Sequence, residues 1–227
     1  MNINNRYTAL VPIKRNSERI PGKNFKRFCG KPLFEYVLNT LNGIPYIDNI
    51  IINTDAEELL EELGIYKFTK VKLRRRNAKI CGDDVSMNVI ISDDLSACSG
   101  SNFIMTHTTN PLLTDRTIKR ALTLFEESKT HDSLFSVYEK KSRFYDQNGA
   151  AINHDPNNLI RTQDLPPLYE ENSNLYIFSR ESFSNTNARI GRQPQMFPIA
   201  ITESVDIDDM YGWQIAKAIM ESGINIS

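Results

Sequence analysis

The sequence predicts an α/β fold, a mostly parallel sheet covered by helices on both faces. Three observations predict it. Apolar runs alternate with amphipathic stretches through residues 1–137, and repeated βα units set strands side by side in one direction. The chain has 227 residues, 40% hydrophobic and 24% charged, which suits one sizeable core, alone or with a small appendage. The first apolar run, from Leu10 to Ile13, opens directly into a loop carrying Lys14, Arg15, Arg19 and Lys23. Ligands of such folds bind at the carboxyl edge of the strands, where that loop emerges.

The elements follow in order. Residues 8–13 read as a strand. Residues 32–41 read as a helix, with Leu33, Tyr36, Val37 and Thr40 on one face and Pro32 in the first turn. Residues 49–53 form a short apolar strand, and 55–63 a helix ended by Gly64. A strand at 70–73 leads into a basic loop. Helices at 86–95 and 115–127 flank a strand at 102–106, and a strand follows at 133–137. The pattern then breaks. Residues 138–167 show no helix; Gln147-Asn148-Gly149-Ala150 is a hairpin turn, and Asp155-Pro156 and Pro166-Pro167 are irregular. Strands at 174–178 and 196–201 and a helix at 208–221 restore the pattern. The chain thus divides into an α/β domain, residues 1–137 and 175–227, and an inserted arm, residues 138–174. Insertions of that size serve as lids or oligomerisation arms.

Charge and cysteine usage exclude several classes. The formal net charge is -1, so no global basic field draws the chain to nucleic acid or to a membrane. Basic residues concentrate at 14–31 and 70–79 instead, which points to a small anionic ligand. The 3 cysteines, Cys29, Cys81 and Cys98, include no C-x-x-C pair, which argues against a disulfide framework or a zinc site. No apolar leader region opens the sequence and no run reaches spanning length. The expectation is a cytoplasmic protein.

The basic loop suits phosphate: backbone N–H groups supply partial charge and the lysines full charge. It is not the phosphate loop of nucleoside triphosphatases, which needs Gly where Ser17 stands and Ser or Thr where Asn24 stands. Near the other end, Asp206 and Asp208 are one residue apart. In an extended segment they point to one side and suit a hard divalent cation such as Mg²⁺. The competing reading makes Asp208 the cap of the last helix, with Asp209 in its first turn.

Five segments, in order, resemble the N-acylneuraminate cytidylyltransferase (CMP-sialic acid synthetase) family, and the resemblance covers nearly the whole chain. Pro12-Ile13-Lys14-Arg15-Asn16-Ser17-Glu18-Arg19-Ile20-Pro21-Gly22-Lys23-Asn24 resembles the family's P-A-R-x-x-S-(K/R)-x-(I/L)-P-x-K-N loop. Asn53-Thr54-Asp55 resembles S-T-D, and Thr106-His107-Thr108-Thr109-Asn110-Pro111-Leu112 resembles L-Q-P-T-S-P-L. Gln163-Asp164-Leu165-Pro166 resembles Q-x-L-P, and Ser204-Val205-Asp206-Ile207-Asp208 resembles S-I-D-I-D.

The resemblance implies a Rossmann-like nucleotidyltransferase with a small dimerisation arm. It implies transfer of CMP from CTP to the anomeric hydroxyl of a nonulosonic, sialic acid-like sugar, with pyrophosphate leaving. Ile13, Lys14, Arg15, Ser17, Lys23, Asn24, Arg76 and Ser86 would meet the nucleotide. His107, Thr109, Asn110, Gln163, Tyr169 and Glu170 would meet the sugar. Asp206 and Asp208 would hold Mg²⁺ and, with Lys23, serve catalysis. The partners implied are CTP, an acidic ulosonic sugar and a second copy of the chain in a homodimer.

The sequence also leaves the family pattern. Lys14 stands for the family Arg, His107 for Gln, and Tyr169-Glu170-Glu171-Asn172-Ser173 for F-R-x-N-G. Glu170 thus puts an anion where a cation stands near an acidic sugar, which points to a modified nonulosonic acid or another acidic sugar. Rival readings are a Kdo cytidylyltransferase, a glycosyltransferase using Asp206-Ile207-Asp208 as its D-x-D, and an inactive nucleotide-binding relative.

Overall fold

The computed structural model describes residue 3 and residues 5–223. In chain order the elements are β1 (Tyr7–Leu10), a hairpin of β2 (Arg27–Phe28) and β3 (Lys31–Pro32), α1 (Phe34–Asn42), β4 (Ile47–Thr54), α2 (Glu57–Glu62), β5 (Val71–Arg75), α3 (Met87–Ser96), β6 (Asn102–Met105), α4 (Asp115–Glu127), β7 (Ser133–Lys140), β8 (Leu168–Ser179), α5 (Arg180–Thr186), β9 (Pro194–Pro198) and α6 (Met210–Glu221). Seven strands form one sheet in the order β5-β4-β1-β6-β8-β7-β9. β8 runs antiparallel to β6 and β7; the other neighbours pair in parallel. The expected class, mostly parallel with helices on both faces, is what the chain adopts.

Alternation along the strands builds a core on each face. Ala9, Ile50, Ile52 and Ile104 pack with Leu38 of α1, Leu60 of α2 and Leu122 of α4. Their neighbours Leu10, Ile51, Phe103 and Met105 pack with Leu95 of α3 and Phe183 of α5. A third cluster lies beneath the first loop: Ile20, Phe28, Leu33, Leu112, Ile207 and Trp213. It ties that loop to the segment before α6.

Several boundaries differ from expectation for identifiable reasons. The helix expected from Pro32 begins at Phe34, because Lys31 and Pro32 pair with the preceding strand. That hairpin turns at Cys29 and Gly30, both with positive φ, the geometry of a tight two-residue loop. The last helix begins after Asp209, not at Asp208, because the Asp209 carboxylate accepts from Gly212 N at 2.8 Å and caps it. α5 has no expected counterpart: it is short and polar, capped by Ser179 accepting from Ser182 N at 3.0 Å.

The largest difference is β8. Its expected core, 174–178, continues back to Leu168 by pairing with the outer half of β7, Lys140 opposite Leu168 and Val137 opposite Glu171. The boundary drawn at 138–174 therefore falls inside two strands. Beyond them the segment turns at its tip as expected, with Asp146 N donating to Ala150 O and Gly149 at φ 82. Ile152, Leu159 and Tyr169 on this ribbon are exposed. Leu165, between them, is 3% exposed within its own chain.

Candidate active site

From β1 the chain steps outward through β4 to β5, then returns to β6 on the other side of β1. The carboxyl ends of β1 and β6 part at such a switch point, and a cleft of about 430 Å³ opens there. The loop after β1 brings Lys14, Ser17, Arg19 and Lys23 to it; the turn after β6 brings His107 and Thr109; Asp206 and Asp208 arrive from the segment before α6. A larger groove, about 910 Å³, runs along the amino ends of β1 and β6. Arg6, one of its cations, is held by Asp48. The smaller cleft is the candidate site, because buried and unsatisfied polar groups converge there.

Lys23 is 7% exposed. Its Nζ donates to Ile207 O at 2.5 Å and lies 3.8 Å from Asp208 Oδ1. Burial pulls its pKa below the ordinary lysine value, and Asp208 and Asp206 oppose that shift. Burial lifts the Asp206 carboxyl above its usual range; the Thr109 hydroxyl hydrogen bond opposes this, and Asp208 adds to it. Arg19 Nη1 donates to Asp208 Oδ2 at 2.7 Å, and Lys14 pairs with Asp83. The Ser17 hydroxyl is buried with no partner, which marks a group that a ligand can satisfy.

Loop geometry is fixed from beneath. Ile13 N donates to Asn53 O, and Gly22 takes φ 64 before a single turn that starts at Lys23. Asn24 Nδ2 donates to Lys14 O at 2.8 Å, while Thr108 Oγ1 donates to Asn24 Oδ1 at 2.6 Å. Asn24 thus clamps the loop to the turn after β6. His107 sits where burial, with Arg189 and Lys23 nearby, pushes the imidazole to about 3. It is neutral at ordinary pH.

The sequence profile described as Cytidylyltransferase matches residues 8–211, a span that takes in every wall of this cleft. The chain belongs to the cytidylyltransferase family. Among relatives, the pseudaminic acid cytidylyltransferase of Campylobacter jejuni is 24% identical over 222 residues, 93% of this chain and 94% of that one. The N-acylneuraminate cytidylyltransferase of Streptococcus agalactiae is 24% identical over 214 residues, 88% of this chain and 50% of that one. A solved structure of CMP:2-keto-3-deoxy-manno-octonic acid synthetase complexed with CTP superposes with a TM-score of 0.70 at 14% identity, covering 96% of this chain and 100% of that one. That likeness speaks to the fold.

The cytidylyltransferase brings together Lys14, Ser17, Lys23, Asn24, Arg76, His107, Thr109, Asp206 and Asp208 around one cleft. Asn110 is fully buried and touches it through Asp206 Oδ1, 3.4 Å from Asn110 Nδ2. The other expected residues lie elsewhere. Ile13 is core and offers only backbone. Arg15 gives its backbone N–H to Asp55 Oδ1 at 2.6 Å, and its side chain is outside the cleft lining. Ser86 caps α3 by accepting from Asn88 N at 3.3 Å. Gln163, Tyr169 and Glu170 stand on the ribbon, where Glu170 pairs with Lys140.

Sequence reasoning omitted Arg19, Asp83, Ser173 and Arg189. Arg19 lies in the basic loop already singled out, four residues before Lys23, whereas Asp83 meets Lys14 only through the fold. Ser173 occupies φ 56 where the family pattern has Gly, a readable signature of a left-handed position. Arg189 follows the unexpected helix α5, and nothing local marks it.

Proposed function

We propose that this cytidylyltransferase transfers CMP from CTP to the anomeric hydroxyl of a nonulosonic, sialic acid-like sugar and releases pyrophosphate. The observation that carries the reading is the meeting of Lys23 with the segment between Asp206 and Asp208, 184 positions away. Cations and paired carboxylates in one cleft at the switch point are what a triphosphate with a divalent cation requires. The anomeric oxygen attacks the α-phosphorus, its proton passes to solvent water, and the bond from that phosphorus to the pyrophosphate oxygen breaks. Negative charge grows on that oxygen. Lys23, held rigid by Ile207, is placed to stabilise it as it develops. Lys14 and Arg19 exchange their carboxylate partners for phosphate oxygens and hold the chain in line.

Asp206 and Asp208 fit Mg²⁺ by their chemistry. Asp206 is a desolvated carboxylate beside a second carboxylate, a state that a cation relieves. Among the described residues no third Asp, Glu, His or Cys joins them, which matches the habit of Mg²⁺ to complete its shell with water and phosphate. When bound, Mg²⁺ supplies positive charge against the triphosphate oxygens. Arg76 and Asn24 belong to the nucleotide side, and His107, Thr109 and Asn110 to the sugar side. Gln163, Tyr169 and Glu170 do not line their own cleft. They serve the partner's cleft in a homodimer. We place the enzyme in the cytoplasm, where CTP is available.

The test is pyrophosphate release from CTP with Mg²⁺ and a panel of eight- and nine-carbon ulosonic acids. Release with a nine-carbon acid is expected. No release with any acid sinks the reading, and release with the eight-carbon acid alone moves it to the Kdo branch. Replacing Asp206 with Asn should cut turnover about 100-fold or more; an unchanged rate removes the metal role.

A further inference from the structure

The acidic-sugar reading leaves a charge unaccounted for. Glu170 replaces a cation of the family pattern and is occupied by Lys140 on the ribbon. Lys23 is engaged by Ile207 O and Asp208. The remaining cation that bears on His107 is Arg189. Its Nη1 lies 3.5 Å from His107 Nε2, and the guanidinium lies over the Tyr176 ring, 3.7 Å from its centroid. Its Nη2 lies 3.5 Å from Glu171 Oε1, and the Tyr176 hydroxyl donates to the same carboxylate oxygen. Ring and carboxylate together hold the planar group in one orientation.

The loop that carries Arg189 is anchored through its backbone. Arg189 N donates to Asn88 Oδ1 at 3.2 Å, Gly191 N to Ser133 Oγ at 2.7 Å and Arg192 N to Asp132 Oδ2 at 2.8 Å. A Cβ on Gly191 would stand 2.3 Å from Asp132 Oδ1, so only glycine lets the loop approach that closely.

A guanidinium carries donors and no acceptor. Nη1 also donates to Met105 Sδ at 3.4 Å, and its approach to the imidazole is a hydrogen bond when Nε2 accepts and the ring proton is on Nδ1. We propose that Arg189 is a positioning residue: it fixes His107 as the neutral Nδ1–H tautomer and backs it with a positive charge that Glu171 only partly offsets. The pair forms the carboxylate-recognising end of the cleft. His107 faces the ligand as a donor, and Arg189 supplies charge from behind it. The groups facing His107 in this arrangement are Arg189, Lys23 and Asp208. This assignment rests on the acidic-sugar reading for its ligand, though not for the tautomer.

The experiment has two readouts on the full chain. The first is ¹⁵N–¹H correlation of the imidazoles at pH 7 without ligand, with His107 assigned by comparison with His107→Gln. Protonated Nδ1 and bare Nε2 are expected; a proton on Nε2 overturns the proposal without any variant having to fold. Arg189→Met should lose this bias, and its retention also counts against the proposal. The second readout is steady-state kinetics. Arg189→Met should raise KM for the acidic sugar about tenfold or more, the loss of a charge-assisted contact, with KM for CTP within about twofold. Arg189→Lys should recover part of that loss. An unchanged sugar KM in Arg189→Met overturns the inference. Inactivity of the wild type with every acid defeats the functional reading instead, and leaves the tautomer result to judge Arg189 alone.

Discussion

Lys23 and Asp94 show how burial sets the work of single charged residues. Lys23 keeps its charge in a desolvated place through Asp208, Asp206 and the carbonyl of Ile207. Lys23→Met should lower kcat for pyrophosphate release about 10²–10³-fold, the cost of removing one preorganised donor to a developing oxyanion, with circular dichroism unchanged. A kcat within about threefold of wild type would remove Lys23 from the chemistry. Asp94 is 1% exposed and accepts from Asn53 Nδ2 at 2.7 Å. Burial lifts it from 3.8 to about 6. Asn53 in turn accepts from Arg76 Nε at 2.8 Å, so the buried acid supports a residue of the cleft. Because the folded pKa is raised, the folded state keeps a proton that the unfolded chain has lost between pH 4 and 6. The contribution is fully present below about pH 4 and is lost as pH rises through 6, about 3 kcal/mol in all. Asp94→Asn lacks that slope. Urea unfolding of both proteins at pH 4.5 and pH 7 checks it, and parallel stability curves would refute it.

At the level of elements, α6 and β8 each depend on one backbone position. A Cβ on Gly212 would lie 2.6 Å from Asp206 O. The missing side chain lets the first turn of α6 tuck under the carboxylate pair, with Trp213 edge-on to Phe28 at 5.1 Å in the cluster below. Gly212→Ala should therefore shift Asp206, costing about 1–3 kcal/mol by overpacking and most of the turnover. Thermal unfolding and pyrophosphate release measured together check this, and a variant of unchanged stability and rate would contradict it. In β8, Ser173 holds φ 56, a strained conformation for a residue with a Cβ. Ser173→Gly should stabilise the fold by up to about 1 kcal/mol, because relief of strain exceeds the extra backbone entropy of glycine. A lower midpoint in denaturant would show that the serine hydroxyl matters more than its backbone.

At the level of the whole molecule, the β7–β8 ribbon leaves Ile152, Leu159 and Tyr169 exposed, while Gln163 and Glu170 stay away from their own cleft. The proposed homodimer, with this ribbon buried between its chains, would account for both. Sedimentation at micromolar concentration should find a species of two chains; a monomer that still turns over CTP would refute the shared-site arrangement.

Much of the fold was legible because its signals are local. The apolar runs of β1, β4 and β6 and the amphipathic pattern of α4 depend on residues a few positions apart, and they emerge as expected. So did the loop from Lys14 to Lys23 and the pair Asp206 and Asp208, each dense enough in chemistry to stand out. β8 was half hidden, because Leu168 to Ser173 carries no apolar pattern and becomes strand only by pairing with β7. α5 was hidden by its polarity. Sequence by itself determined the parallel α/β class, the cationic loop and the carboxylate pair, since short-range periodicity and residue type specify them. Tertiary structure alone decided who meets whom: Lys23 with Ile207, Asn53 between Asp94 and Arg76, Arg189 behind His107. Those meetings join residues far apart in sequence, and only the burial and pairing of the whole chain fix such distances.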